Sequence, residues 1–180
     1  MTKLRKIRIF ILNIIIIILF LSFIDFLINN SKIRYENNLV EAYFEKDGSP
    51  KNISKDDYIG ILEIPKINLK RGYYSKGDSR NNIENNITLI DYKDNKDYIF
   101  AAHSGNDTIA YFNDIHFLEN GDIINLYAGN KKTTYTVYNK YLDDKNGEVS
   151  ITKSNKKRLI LVTCNNNDKN NYLIIEAYSK

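Results

Sequence analysis

The sequence predicts an all-β domain, a closed or nearly closed β-barrel, preceded by one transmembrane helix. Three observations carry that prediction. Residues 7–28 are almost entirely apolar. Beyond residue 57 the chain divides into about seven short strand-like runs bounded by Asn, Asp and Gly. Helical periodicity is sparse in that part of the chain, as expected of a small barrel.

The apolar run is long enough for a membrane span, which needs about 20 such residues. Beyond Arg8 at its start, only Asn13, Ser22 and Asp25 interrupt it. Lys3, Arg5, Lys6 and Arg8 stand before or at its start, and basic flanks stay in the cytoplasm, which sends the C-terminal domain outward. A cleaved signal peptide has a shorter core and small residues at its cleavage site; Asn29-Asn30-Ser31-Lys32 offers a poor one. The predicted organisation is a basic tail and anchor at 1–29, a polar and partly helical linker at 30–57, and the β-domain at 58–180. The protein is expected in the cell membrane as a single-pass chain with an extracellular domain. Within the linker, Leu39, Val40, Tyr43 and Phe44 fall at helical spacing, and Asp47-Gly48-Ser49-Pro50 is a strong break.

Strands are expected at 58–64, ended by Pro65, and briefly at 67–69. Residues 78–89 are Asn-rich and suit a helical turn. A buried strand follows at 98–102, then a short helix within 107–115 with Ile109, Phe112 and Ile115 inward. Strands at 122–128 and 133–141 flank the turn Gly129-Asn130, and the second alternates to put Thr133, Tyr135, Val137 and Tyr141 on one face. Residues 158–164 form a buried strand and 172–178 the last one.

Composition narrows the function classes. The 180 residues are 43% hydrophobic and 27% charged, which describes a globular chain. The net charge of +4 comes in part from the four basic residues before the anchor, so the rest is too balanced for a nucleic-acid binder. One cysteine, Cys164, excludes an internal disulfide, and one Cys with two His is too few for a structural zinc site. Asp107, Asp114 and Asp122 are scattered over turns without compact ligand spacing. Lys153, Lys156, Lys157 and Arg158 read as a solvated basic patch, and His116, between apolar neighbours, as a surface or packing histidine. No metal or cofactor is expected.

Two strand ends carry the chemistry. Cys164 closes Leu159-Ile160-Leu161-Val162-Thr163 and precedes the polar Asn165-Asn166-Asn167-Asp168-Lys169. A thiol there is rigidly held and faces a solvated loop, as a nucleophile requires. Free Cys also packs as a small hydrophobe, so position alone favours an inert residue. His103 closes Ile99-Phe100-Ala101-Ala102 and precedes Ser104-Gly105-Asn106. A lone strand-end His is more often structural. The pair changes the balance, because a thiol needs a nearby base or cation to become a thiolate, and imidazole provides one near neutral pH.

Four stretches, in order, resemble the sortase family. They are Ile59-Gly60-Ile61-Leu62-Glu63-Ile64-Pro65-Lys66-Ile67-Asn68-Leu69; Ala101-Ala102-His103-Ser104-Gly105-Asn106; Ala110-Tyr111-Phe112-Asn113-Asp114-Ile115 with Leu118-Glu119-Asn120-Gly121-Asp122; and Leu159-Ile160-Leu161-Val162-Thr163-Cys164. The last is close to the family's Thr-Leu-x-Thr-Cys signature. The resemblance covers roughly residues 58–178, and the N-terminal anchor agrees with it. It implies an eight-stranded sortase barrel and a cysteine transpeptidase. Cys164 would attack a Thr–Gly-type bond in a cell-wall sorting signal, and His103 would protonate the leaving amine. An amine on a peptidoglycan precursor or a pilin would then resolve the thioacyl enzyme. It also implies that Ser104, Thr163, Asn165 and Asn171 line the substrate site.

The chain departs from the family at one point. Sortases carry an arginine at the start of the last strand, where Asn170-Asn171-Tyr172-Leu173-Ile174-Ile175 places Tyr172, and no arginine follows Cys164. Arg158 sits at the far end of the Cys164 strand, roughly 20 Å away at ordinary strand rise. Tyr172, or Asn165, Asn170 or Asn171, would then donate to the oxyanion. The alternative is a weak or inactive sortase-like domain acting as a surface binding module. The family's substrate-shaping loop corresponds to roughly 142–157; its mixture of Asp143, Asp144, Glu148 and lysines points to no particular sorting motif.

Overall fold

The computed structural model describes residues 3–42, 58–93, 97–105, 109–129, 131–147, 149–151, 154–168 and 170–179. The chain separates into two units, Met1–Leu39 and Val40–Lys180. In the first, helix α1 runs over Lys3–Ala42. Its segment Arg5–Ile28 has 24 residues with a mean hydropathy of 2.9 and is long and apolar enough to cross a membrane. Large apolar side chains are exposed all along it, from Ile7 to Ile28, as on a helix that is hydrophobic all round. Because α1 continues past residue 30, the helical part of the anticipated linker is continuous with the apolar segment. Tyr43, Phe44 and the break at 47–50 lie outside the described residues.

The second unit is one eight-stranded sheet. Its strands are β1 (Gly60–Ile64), β2 (Leu69–Tyr73), β3 (Thr88–Lys93), β4 (Asp97–Ala101), β5 (Ile123–Ala128), β6 (Lys131–Asp144), β7 (Arg158–Cys164) and β8 (Asn171–Ser179). They lie in the order β2-β1-β5-β6-β8-β7-β4-β3 and curl into a nearly closed barrel. Neighbours are antiparallel apart from β4 and β7, which run parallel with Asp97 opposite Arg158 and Ala101 opposite Val162. That pairing carries both chains out of the sheet at the same end.

Three elements differ from expectation. The second strand starts at Leu69, where it was expected to end. Pro65–Ile67 forms a 3-10 turn, and Asn68, at φ 55°, reverses the chain; asparagine is among the few residues that tolerate this left-handed conformation. β3 was not anticipated, because its charged residues and Asn-rich approach hide it; Asn81 fixes it by exchanging side-chain hydrogen bonds with the N–H and C=O of Leu89 at 2.8 and 2.9 Å. In β6 a bulge falls between Val137 and Asn139. It turns the strand over, so Tyr135 and Val137 enter the barrel core while Tyr141 packs on the opposite face. Strict alternation had put all of them on one face.

Period-two alternation divides β4, β7 and β8 between two apolar clusters. Phe100, Leu159, Leu161, Leu173 and Ile175 fill the barrel. Ala101, Ile160, Val162 and Ile174 form a second cluster on the other face, covered by Tyr141, Val149, Ile151 and Tyr172. At the end of β7 remote from Cys164, Arg158 is 2% exposed and pairs with Asp97 through Nε at 3.2 Å and Nη2 at 2.7 Å. Its Nη1 lies 3.6 Å from Glu176, whose side chain is 3% exposed. Tyr138 donates to Glu176, and the Tyr141 hydroxyl lies 3.4 Å from it. The Asp97 carboxylate holds the guanidinium firmly protonated, its hydrogen bonds outweighing the burial that opposes charge.

Removing one member of such a network strands the remaining charges, a loss of about 3–5 kcal/mol. Arg158→Ala is expected to lower unfolding free energy by that amount in urea titrations. Lys66→Ala, at the surface pairs with Glu119 and Asp122, is expected to move the urea midpoint far less than Arg158→Ala does. Burial pushes Tyr135 up to about 12 and, with the Glu176 charge second, Tyr141 also to about 12. An unfolded tyrosine ionises near 10, so the unfolded chain loses these protons first as pH rises. Stability is expected to hold below about pH 10 and to fall as pH rises toward about 12, with tyrosinate absorbance and urea midpoints followed together.

Candidate functional site

The strand ends that carry His103 and Cys164 emerge side by side because β4 and β7 are parallel neighbours. Two residues beyond the Ala101–Val162 pair stand His103 and Cys164. The chains stay joined there: the buried Thr163 hydroxyl donates to the Ala102 carbonyl at 2.7 Å, and the Ser104 hydroxyl donates to the Cys164 carbonyl. Gly105 then turns at φ 124°, a conformation that favours glycine. The 3-10 turn Asn113–Phe117 fastens both loops. The Phe112 N–H donates to the His103 carbonyl at 3.0 Å, while Asn113 Oδ1 accepts from the Gly105 N–H at 3.1 Å and from Asn166 Nδ2 at 2.9 Å. Phe112 and Ile115 are buried as anticipated. The expected helix start near 107 lies outside the described residues.

Cys164 is the last β7 residue in register with β8, directly opposite Tyr172. The pairing does not fray there, because the Asn165 N–H donates to the Asn171 carbonyl at 2.9 Å. Cys164 and Tyr172 continue the alternation of Val162 and Ile174, and Tyr172 packs against the second apolar cluster. β6 reaches the same place from the other side of β8: Asp143 is opposite Tyr172 and Asp144 opposite Asn171. The next N–H, of Lys145, donates to the Asn170 carbonyl at 2.8 Å. Lys145 Nζ lies 3.3 Å from the Cys164 sulfur and 5.6 Å from the centre of the Tyr172 ring.

The loop between β6 and β7 is tied down over this face. The Ser150 N–H donates to Asp143 Oδ2 at 2.7 Å, and the Tyr141 hydroxyl donates to the Ser150 carbonyl at 3.2 Å. Its Val149 and Ile151 pack on the second cluster. On the barrel-end side, a shallow open cleft is lined by Ser104, Asn113, His116, Thr163, Cys164 and Asn165, among others. The thiol thus sits where the cleft meets the face covered by the loop.

The structure therefore brings together Ser104, Thr163, Cys164 and Asn165 around the cleft, with Tyr172 one strand across from the sulfur. His103 and Tyr172 lie outside the cleft lining. The side chain of Asn171 is turned to its own loop, where Nδ2 donates to Asp168 at 2.7 Å. His103 Nε2 is shielded from solvent without a hydrogen bond and lies 3.7 Å from Glu84 Oε1. His116, read from the sequence as a surface or packing residue, lines the cleft as well. Its Nδ1 sits 2.8 Å from the Asn113 carbonyl, which can only accept, so Nδ1 carries the proton and Nε2 is the free ring position. Among the described residues no group of three or more His, Cys, Asp or Glu is placed to hold a metal ion. Sequence reasoning missed Glu84 and Lys145; no local pattern marks either, since each comes near the site only through strand pairing and loop packing.

The model of one protein family, described as Sortase domain, matches residues 62–179. No curated protein matches the sequence. Among solved structures, the chain is similar to Clostridium perfringens sortase C with the C-terminal cell wall sorting motif, at 24% identity over 87% of this chain and 88% of that one, with a TM-score of 0.59. It is similar to the Clostridium perfringens sortase D5 transpeptidase at 20% identity over 81% and 98%, TM-score 0.58. Streptococcus pneumoniae sortase C gives 17% identity over 83% and 88%, TM-score 0.59. At these identities the structural likeness speaks for the fold.

The loop clamp yields a direct test. In Asp143→Ala the Ser150 amide loses its acceptor, so its hydrogen exchange is expected to accelerate by about fivefold or more, equivalent to losing roughly 1 kcal/mol. Amides within β7 and β8 are expected to exchange as in the unaltered chain.

Proposed function

The chain belongs to the sortase family, and on that premise we propose that it is a membrane-anchored cysteine transpeptidase in which Cys164 is the nucleophile and His103 the proton-transfer partner. The observation that supports this most is the parallel β4–β7 pairing, which delivers both residues to one end of the sheet. The Cys164 thiolate attacks the carbonyl carbon of a sorting-signal peptide bond, forming the S–C bond. As the C–N bond breaks, His103 gives its proton to the departing amine. In the second half, an amine on a peptidoglycan precursor or a pilin attacks the thioester, its proton passes to His103, and the C–S bond breaks. The thioester preserves the acyl energy that the second transfer uses.

Tyr172 is proposed as a donor to the carbonyl oxygen as it becomes an oxyanion. It faces Cys164 in register, and a tyrosine hydroxyl can fill that role. Among the described residues its hydroxyl has no hydrogen-bond partner. Asn165 is the second candidate, since it lines the cleft beside the sulfur; Asn171 is less suited because its amide already serves Asp168. Ser104, Thr163 and Asn165 bound the substrate groove. The apolar segment Arg5–Ile28 supports anchoring, and the basic residues before it support a cytoplasmic N-terminus. Residues 1–29 then serve as anchor, 30–57 as spacer and 58–180 as the catalytic unit. The absence of any arginine after Cys164 favours a second reading, a sortase-fold module that binds a surface component without turning it over.

The deciding experiment is mass spectrometry of the full-length chain in detergent with a library of sorting-signal peptides. A thioacyl adduct on Cys164 is expected, absent in Cys164→Ala and reduced at least about a hundredfold in His103→Ala. Folded protein with a reactive thiol and no adduct with any peptide would move the assignment to the binding module.

A further inference from the structure

The geometry points to Lys145 as a catalytic residue of this site: its ammonium group supplies the positive charge that stabilises the Cys164 thiolate and the oxyanion of the acyl intermediate. The oxyanion part of this inference rests on the transpeptidase reading above; the thiolate part does not.

The need for such a charge is set by the sequence. A thiol ionises near 8.5 when nothing assists it, and no arginine stands among residues 165–180. Lys145 Nζ is 3.3 Å from the Cys164 sulfur, within hydrogen-bonding distance of a thiolate. It also reaches over the Tyr172 ring, 5.6 Å from its centre, so the cation occupies the space above the side chain that replaces the family's arginine. Among the described residues no carboxylate forms an ion pair with it. The Lys145 side chain is exposed, and its backbone is held in place. Its N–H continues the β6–β8 ladder onto the Asn170 carbonyl at 2.8 Å, and two residues earlier Asp143 clamps the loop through Ser150 at 2.7 Å. The backbone that carries Lys145 is therefore fixed on the strand next to the one bearing Tyr172.

The other groups around the sulfur do not supply this charge permanently. Tyr172 faces it from β8, and a phenol supplies no positive charge in either protonation state. His103 stands at the end of β4, with Nε2 turned toward Glu84, and His116 is across the cleft with Nδ1 committed to the Asn113 carbonyl. The carboxylate of Asp143 is occupied by the Ser150 and Asp144 N–H groups, and that of Asp168 by Asn170 and Asn171. An ammonium is charged throughout the range in which the thiol titrates. That of Lys145 stabilises negative charge on sulfur before attack and on the former carbonyl oxygen afterwards, while His103 moves the proton.

The test is the pH profile of iodoacetamide alkylation of Cys164 in the full-length chain in detergent, which requires no peptide substrate. In Lys145→Met the midpoint is expected to move up by roughly half a unit to one unit, the size of a close, solvent-facing charge interaction. Lys145→Arg, which keeps the charge, is expected to hold the midpoint within about a quarter of a unit of the unaltered chain, a small fraction of that interaction. An unmoved midpoint in Lys145→Met, with its melting temperature unchanged, would overturn the thiolate role. Peptide acylation is measured in parallel. A loss of at least about tenfold in Lys145→Met, with recovery in Lys145→Arg, supports the oxyanion role; unchanged acylation overturns it. If the unaltered chain forms no adduct at all, the transpeptidase reading and the oxyanion role fail together, and the alkylation profile still decides the thiolate role.

Discussion

The fold depends on where β4 meets β7. Parallel strands adjoin only after a long crossover, so nothing local fixes their register. The buried Arg158 does so at one end of the pair by gripping Asp97 through two hydrogen bonds, and it reaches Glu176 on β8 as well. Charges this deep contribute little net stability, since desolvation offsets most of their attraction. Their effect is selective. A slip of one residue would leave a guanidinium or carboxylate stranded and turn each apolar face over. The register locked there is the one that, six residues further along β7, sets Cys164 opposite Tyr172 and beside the His103 turn.

The site then follows from the ends of strands rather than from loops. Sulfur, phenol and imidazole occupy positions set by backbone pairing, and each adjoining turn is fastened to a neighbour through Asn113, Ser104 or Asn165. A rigid frame suits acyl transfer, where the donor must meet the oxygen at its charged position without rearrangement. The β6–β7 loop adds the adjustable part. It has its own apolar anchors, Val149 and Ile151, so its residues can vary while the strands beneath keep their geometry.

Much of this was legible in the sequence, for identifiable reasons. His103 and Cys164 stood out because each ends an apolar run and begins a polar one, a boundary that strand burial imposes. The long apolar helix was legible because length and apolarity suffice to mark a candidate membrane span. β3 was hidden because Asn81 acts through a side chain eight residues away. The face of Tyr141 was misassigned because the bulge after Val137 leaves no mark in residue spacing. Lys145 was one lysine among several in a mixed-charge loop. Its nearness to the thiol is a product of β6 pairing with β8, which is visible only when the sheet is assembled.

The hydrogen bond from Thr163 to Ala102 spans 61 residues of chain. Contacts so distant in sequence form slowly, because the entropy of closing the intervening loop must be overcome before they contribute. Cys164, His103 and Lys145 therefore come together only once such distant pairings have formed. On the proposed chemistry, the thiol would gain its nucleophilic setting only with this long-range pairing, so an incompletely folded chain would not yet attack peptide carbonyls.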